Sequence, residues 1–226
     1  MRKLYPLLSV LFLIYWGCEN YQDTTPTEVT LWGEVYSVEN TTELDLGHNG
    51  LTGSIPSEIG NLTNLTKLIL EGNQLSGSIP PEIWNMTNLT YLDLSGNNND
   101  LSNGLSGSIP PEIWNMTNLI SLNLSDNNLT GYIYSEIGNL TNLTELRLDY
   151  NQLTGSIPSE IVNLTNLEWL TLNNNQLTDT IPNKICNFDI NWSSSTYFRI
   201  FNNQLCPPYP SCIEDYVGEQ DTSDCP

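Results

Sequence analysis

The chain repeats itself, and that constrains its fold more than any other feature. The pattern L-x-L-x-x-N recurs as Leu44/Leu46/Asn49, Leu68/Leu70/Asn73, Leu92/Leu94/Asn97, Leu122/Leu124/Asn127, Leu146/Leu148/Asn151 and Leu170/Leu172/Asn175. A degenerate seventh copy is Phe198/Ile200/Asn203, and the leading positions lie 24, 24, 30, 24, 24 and 28 residues apart. The units continue as L-[TS]-G-x-I-P-x-E-I-x-N-[LM]-T-N-L. One such unit is too short to bury its own leucines, so the copies must stack and share a continuous core.

Within a unit, x-L-x-L-x alternates with period two and reads as a short strand with its leucines inward. The Asn that follows can satisfy backbone groups of neighbouring coils where the chain bends away. Gly then stands where a positive φ is expected, and Pro where no ladder donor is needed. The E-I-x-N-L-T-N-L stretch carries apolar residues at near-helical spacing and predicts a short helical turn on the outer side. Stacked strands would lie about 4.8 Å apart as a parallel sheet.

The segment LTGSIPSEIGNLTNLTKLILEGNQL (51–75) carries the pattern in full. Here the chain resembles the plant-type leucine-rich repeats of receptor-like kinase ectodomains and polygalacturonase-inhibiting proteins, over about residues 31–212. The resemblance implies an α/β solenoid: a right-handed superhelix with a parallel concave sheet of about seven short strands, and short helical or 3-10 turns on the convex side. Residues 44–180 are expected to hold the repeats, and no kinase domain follows them. The block SGSIPPEIWNMTNL occurs identically at 76–89 and 106–119. Between the copies, residues 98–103 lengthen one coil and should bulge near the edge of the concave face. Trp84 and Trp114 replace the usual Gly and are expected as convex contacts or surface packing.

Residues 1–18 read as an export signal. Arg2 and Lys3 precede an apolar run from Leu4 to Trp16, too short for a comfortable membrane span. Gly17-Cys18 looks like the end of a bacterial lipobox, with Tyr15 and Trp16 departing from its usual residues, and makes Cys18 the candidate lipidation site. Residues 19–28 would be a polar tether. The expected location is the bacterial cell envelope or outer surface, with the membrane reached only through the lipid; with an ordinary secretory signal instead, the chain would be secreted.

A solenoid also needs caps, because its end coils would expose leucine. Residues 29–43 should form the N-terminal cap, with Trp32, Val35 and Val38 covering the first coil. Residues 181–226 should hold the degenerate last repeat and a cysteine-rich C-terminal cap. Of five cysteines, Cys186, Cys206, Cys212 and Cys225 cluster there, an even number that predicts two disulfides in an exported chain. Stacking makes Cys212 the nearest neighbour of Cys186, whereas the plant cap pattern implies Cys206 with Cys212; the pairing stays open. Spacings of 20, 6 and 13 fit no C-x-x-C zinc pattern, so no metal is expected.

Six basic residues stand against 26 acids, a net charge of −20 that repels phosphate backbones and argues against nucleic-acid binding. The single histidine, His48, lies in a turn with no catalytic pairing. Acid pairs such as Glu43/Asp45 and Glu145/Asp149 have no expected burial to tune them. Neither an enzyme nor a cofactor is expected. Function falls to the side chains between and beside the strand leucines, which face the concave side. There the C-terminal end collects Arg147, Tyr150, Trp169, Tyr197, Arg199 and Phe201, with Tyr91 further up the stack. Tyr, Trp and Arg are the residues enriched in interface hot spots. Some of these aromatics could instead pack under the C-terminal cap. The expectation is a non-enzymatic binding module for a protein, peptide or glycan, with a structural or adhesive surface protein as the alternative.

Overall fold

The computed structural model describes residues 26–97 and 104–226. The export signal, Cys18, most of the tether and the 98–103 insertion lie outside the described residues. The repeats form one stack of coils around a shared core. Seven strands, Glu43–Asp45, Lys67–Ile69, Tyr91–Asp93, Ser121–Asn123, Glu145–Arg147, Trp169–Thr171 and Phe198–Arg199, make a single parallel sheet in chain order. Equivalent residues pair across it, Leu68 with Leu92 and Leu122 with Leu146. The first leucine of each strand is buried, as are the second leucines from Leu70 onward, while Leu46 in the terminal coil is only partly covered.

A second parallel sheet runs beside the first and was not legible in the repeat pattern. It orders Gly77–Ser78, Leu105–Ser108, Asn128–Tyr132, Gln152–Ser156, Gln176–Thr180 and Gln204–Cys206. The L-[TS]-G-x segment supplies it, with Gly53, Gly77, Gly107, Gly131 and Gly155 all at positive φ as expected. Its strands pair only with the equivalent segment of the next coil, so no signal local in sequence announces them.

Each outer turn is a five-residue 3-10 helix, as at Ser57–Asn61, Pro81–Asn85 and Ser159–Asn163. Extended Pro56, Pro80 and Pro158 precede these, and the residue after each turn donates its N–H to the Ile carbonyl, Leu62 to Ile59 for example. So short a turn, leading straight into the next strand, takes the tighter helix. Trp84 and Trp114 are 3 % and 0 % exposed, so neither is a convex contact. Their column points into the space between successive turns: a Cβ on the equivalent Gly60 would sit 2.5 Å from Glu82 Cβ, and on Gly138 2.8 Å from the Glu160 carbonyl. The two indoles therefore belong to the core.

Two asparagine ladders hold the coils together. In the inner one, Asn127 Nδ2 donates to Leu94 O at 2.9 Å and Leu124 O at 3.2 Å, and its Oδ1 accepts from Leu105 N at 3.2 Å. Asn73, Asn97, Asn151, Asn175 and Asn203 repeat the arrangement. In the outer one, Asn88, Asn118, Asn142 and Asn166 each donate to a carbonyl of the preceding coil at 2.8–2.9 Å.

The ends are closed differently. At the N-terminus Glu28–Leu31 and Glu34–Ser37 form an antiparallel hairpin. Val29 and Leu31 are buried against the first coil, whereas Val35 is 60 % exposed. Val35 was expected to cover the core; it faces solvent because it pairs with exposed Thr30 on the outer side of the hairpin. Trp32 and Val38 do pack on the core. At the C-terminus the disulfides are Cys186–Cys212 and Cys206–Cys225, which resolves the open pairing in favour of the stacked neighbour. Gln220 then imitates a ladder asparagine: its Nε2 donates to Ile200 O at 3.0 Å and Val217 O at 2.9 Å, and its Oε1 accepts from Leu205 N at 3.3 Å.

Candidate binding face

The concave sheet presents three columns of side chains, one on each side of the two inward residues and one between them. In-register pairing brings Tyr91, Ser121, Glu145 and Trp169 into one column, and Asp93, Asn123, Arg147, Thr171 and Arg199 into the next. The third holds Ser95, Ser125, Asp149, Asn173 and Phe201. Neighbours within a column stand about 4.8 Å apart, so a side chain from one coil touches those of the coils beside it.

At the C-terminal end this spacing assembles a half-buried stack with one exposed ring. The Arg147 guanidinium lies 5.3 Å from the centre of the Trp169 ring, and Tyr197 meets Trp169 edge-on at 5.1 Å. Glu145 Oε1 lies 3.7 Å from Arg147 and holds it from the same strand. An arginine over an indole gains both ring-face attraction and a planar contact. Tyr197 is 42 % exposed and Tyr150 46 % exposed, so both offer free ring surface. Arg199 donates its Nε to Ser195 O, which ties it to the loop entering the last strand. Phe201 is half-buried, and Gly218 of the cap sits so close that an added Cβ would lie 2.5 Å from Phe201 Cβ. Phe201 thus packs under the C-terminal cap. A further aromatic cluster there joins Phe188 and Trp192, which have no place in the repeat pattern, to Phe198 of the degenerate seventh copy.

Tyr91 does not join this group. Two strands separate it from Trp169, and its own partner is Lys67, whose Nζ lies 5.5 Å from the ring centre. Burial raises the Tyr91 phenol above its usual value, with the carboxylates of Asp93, Glu145 and Glu71 adding to the effect. The centre of the face is a closed hydrogen-bond network. Ser95 Oγ donates to Asp93 Oδ1 at 2.6 Å, Asn123 Nδ2 to Asp93 Oδ2 at 3.0 Å, and Ser125 Oγ to Asn123 Oδ1 at 2.8 Å. These groups satisfy one another, which leaves little for a ligand. The side chains left outside this network gather at the C-terminal end of the face.

Beside the first column runs an open groove of about 690 Å³. It is lined by Asn88, Thr90, Asn118, Ile120, Thr144 and Glu168 among others, where the chain enters each strand. Its acids, Glu168 and Asp189, lie at the Trp169 end. Among the described residues no group of three or more His, Cys, Asp or Glu is placed to hold a metal ion. His48 is exposed and meets Glu71 at 3.0 Å.

The repeats also match known proteins. A leucine rich repeat family model matches residues 39–98, and a second matches 88–116, 118–140, 142–164 and 166–188. No curated protein matches the sequence. Among solved structures, the Arabidopsis receptor kinase HAESA, in complex with the peptide hormone IDA and the co-receptor SERK1, is 32 % identical with a TM-score of 0.70. That match covers 79 % of this chain and 29 % of the other. The ectodomain of GASSHO1/SCHENGEN3 from Arabidopsis thaliana, in complex with CASPARIAN STRIP INTEGRITY FACTOR 2, is 36 % identical with a TM-score of 0.64, covering 75 % of this chain and 19 % of the other. A Leptospira interrogans leucine-rich repeat protein is 31 % identical with a TM-score of 0.57, covering 80 % and 41 %. This chain thus spans well under half the length of each. Family models that between them run from the first inner strand to the start of the cysteine-bearing cap make the chain a member of the leucine-rich repeat family.

Proposed function

We propose that this protein is a non-enzymatic binding module that holds a protein or peptide segment across the C-terminal half of its concave sheet. The observation that carries this reading is the half-buried Arg147–Trp169 pair with the exposed Tyr197 ring against it. Arginine and large aromatics at the centre of a concave patch are the usual anchors of an interface. Two similar structures are complexes, HAESA with a peptide hormone and a co-receptor and GASSHO1/SCHENGEN3 with CASPARIAN STRIP INTEGRITY FACTOR 2, and the first of them supports a peptide ligand here. Two disulfides fit an exported protein. We further propose that Cys18 carries a lipid anchor, placing the face at the bacterial cell envelope.

A pull-down from envelope extract tests the site. The wild type should retain proteins that a Trp169→Ala/Arg199→Ala double variant loses. Identical capture by both would remove the concave stack from the account and favour an adhesive surface without a defined site. A captured glycan would change the ligand class. In cell fractionation Cys18→Ser should move the chain from membrane to soluble fractions; unchanged retention would rule out the anchor.

A further inference from the structure

Among the described residues, seven buried side-chain nitrogen or oxygen atoms have no hydrogen-bond partner. Five of them belong to two adjoining coils: Arg147 Nε on one strand, and on or just after the next strand, where Thr171 pairs with Arg147, Trp169 Nε1, Asn173 Nδ2 and Oδ1, and Asn174 Nδ2. Asn173 is the extreme case, 0 % exposed with both ends of its carboxamide unpaired. Its column makes the anomaly plain. Glu71 meets His48, Ser95 bonds Asp93, Ser125 bonds Asn123, and Asp149 accepts from Thr171 Oγ1. Asn173, between Asp149 and Phe201, is the polar side chain there left without a partner among these coils. A buried, unpaired amide destabilises the fold, and retaining one calls for an explanation.

The orphaned groups specify what would complete them. Four are N–H donors and one, Asn173 Oδ1, is an acceptor. The complement is a ligand rich in acceptors that also brings an N–H. Glu145 lies beside Arg147, Asp149 accepts from Thr171 Oγ1, and the chain carries a net charge of −20, so a carboxylate or phosphate would be repelled. Neutral acceptors with an N–H among them are the carbonyls and amides of a polypeptide main chain. We propose that Asn173, with Asn174 next to it and Arg147 and Trp169 further along the same two coils, marks a subsite that grips the backbone of an extended peptide. This rests on the concave binding reading above and narrows it: at this subsite recognition is by main chain and tolerant of side chains. Because Asn173 is covered, seating the peptide requires a rotamer change among its neighbours, a common adjustment at interfaces.

The test uses the full-length protein in detergent and a random linear dodecapeptide library displayed on phage. Peptides enriched on wild type and lost on Trp169→Ala are synthesised with single backbone N-methyl groups. One internal N-methylation should weaken binding about tenfold or more where alanine at that residue changes it little. Asn173→Leu should weaken the parent peptide by a similar factor, abolish the N-methyl effect, and melt at or above the wild-type temperature. Asn173→Asp, which keeps the size and replaces the NH2 donor with a charge, should weaken binding as well, and serves should the leucine variant fail to fold. If Trp169→Ala loses the peptides while both Asn173 variants bind them as wild type does, the backbone subsite is wrong and the concave reading stands. That result, with Asn173→Leu less stable, would assign Asn173 to a structural water. If no peptide is enriched that depends on Trp169, both proposals fall.

Discussion

At the scale of single residues, the position after the strand shows how backbone and chemistry are bound together. In every coil it takes the left-handed conformation: His48, Asp126, Tyr150, Asn174 and Asn202 have φ between 52° and 56°, and Gly72 and Gly96 fill the same place. Only Gly adopts it freely, so each other residue carries a backbone cost. Asp126 adds an electrostatic one. Burial raises its carboxyl above the usual value, Asp149 raises it further, and Arg147 works in the opposite direction. A carboxyl whose folded value is raised stabilises the fold when protonated, and that contribution is lost as pH rises through the folded value. Asp126→Asn should therefore melt above wild type at neutral pH, and the gap should shrink as the pH falls below the ordinary carboxylate range. A gap independent of pH, in melting curves taken across that range, would assign the effect to backbone preference alone.

At the scale of elements, much was legible before any coordinates because each element answers to a local pattern. The strand leucines, the positive-φ glycines and the turn after Ile-Pro are fixed by period two, by the absence of a Cβ and by a locked φ. What escaped depends on contacts between coils. The second sheet pairs segments a whole repeat apart, and Trp84 and Trp114 are buried because adjacent turns enclose them. Val35 carried the right hydrophobicity, but the hairpin register turned it outward. Of the candidate site residues, Arg147, Trp169 and Tyr197 are brought together by the constant repeat spacing, which could be read directly. Tyr91 was placed correctly on the face but belongs to a separate pair. Asn173 was passed over, since an asparagine in an asparagine-rich repeat carries no mark in sequence; only its missing partners single it out.

At the scale of the molecule, a stack in which each coil touches its neighbours opens from its ends. The two ends are unequal. The N-terminal hairpin holds by packing and hydrogen bonds, while Cys186–Cys212 and Cys206–Cys225 tie the other across 26 and 19 residues of chain. Closed loops of that size contribute about 3 kcal/mol each. Amide exchange followed by mass spectrometry should then show the first coils opening fastest. Reduction should bring the residues after Ile181 to a comparable rate while residues 104–150 stay protected. Uniform loosening on reduction would mean the stack unfolds as one unit.

The substitute rung at Gln220 has a consequence for how such a molecule lengthens. The terminal coils are bespoke: a hairpin at one end, a glutamine standing in for asparagine at the other. Interior coils are interchangeable, since each offers the next the same leucines and the same asparagine. New length is therefore admitted from the middle, and the verbatim pair at 76–89 and 106–119 is the trace such internal copying would leave. Each added coil moves the ends apart without altering either, so the aromatic stack near the C-terminal cap travels intact while the reach of the face in front of it grows.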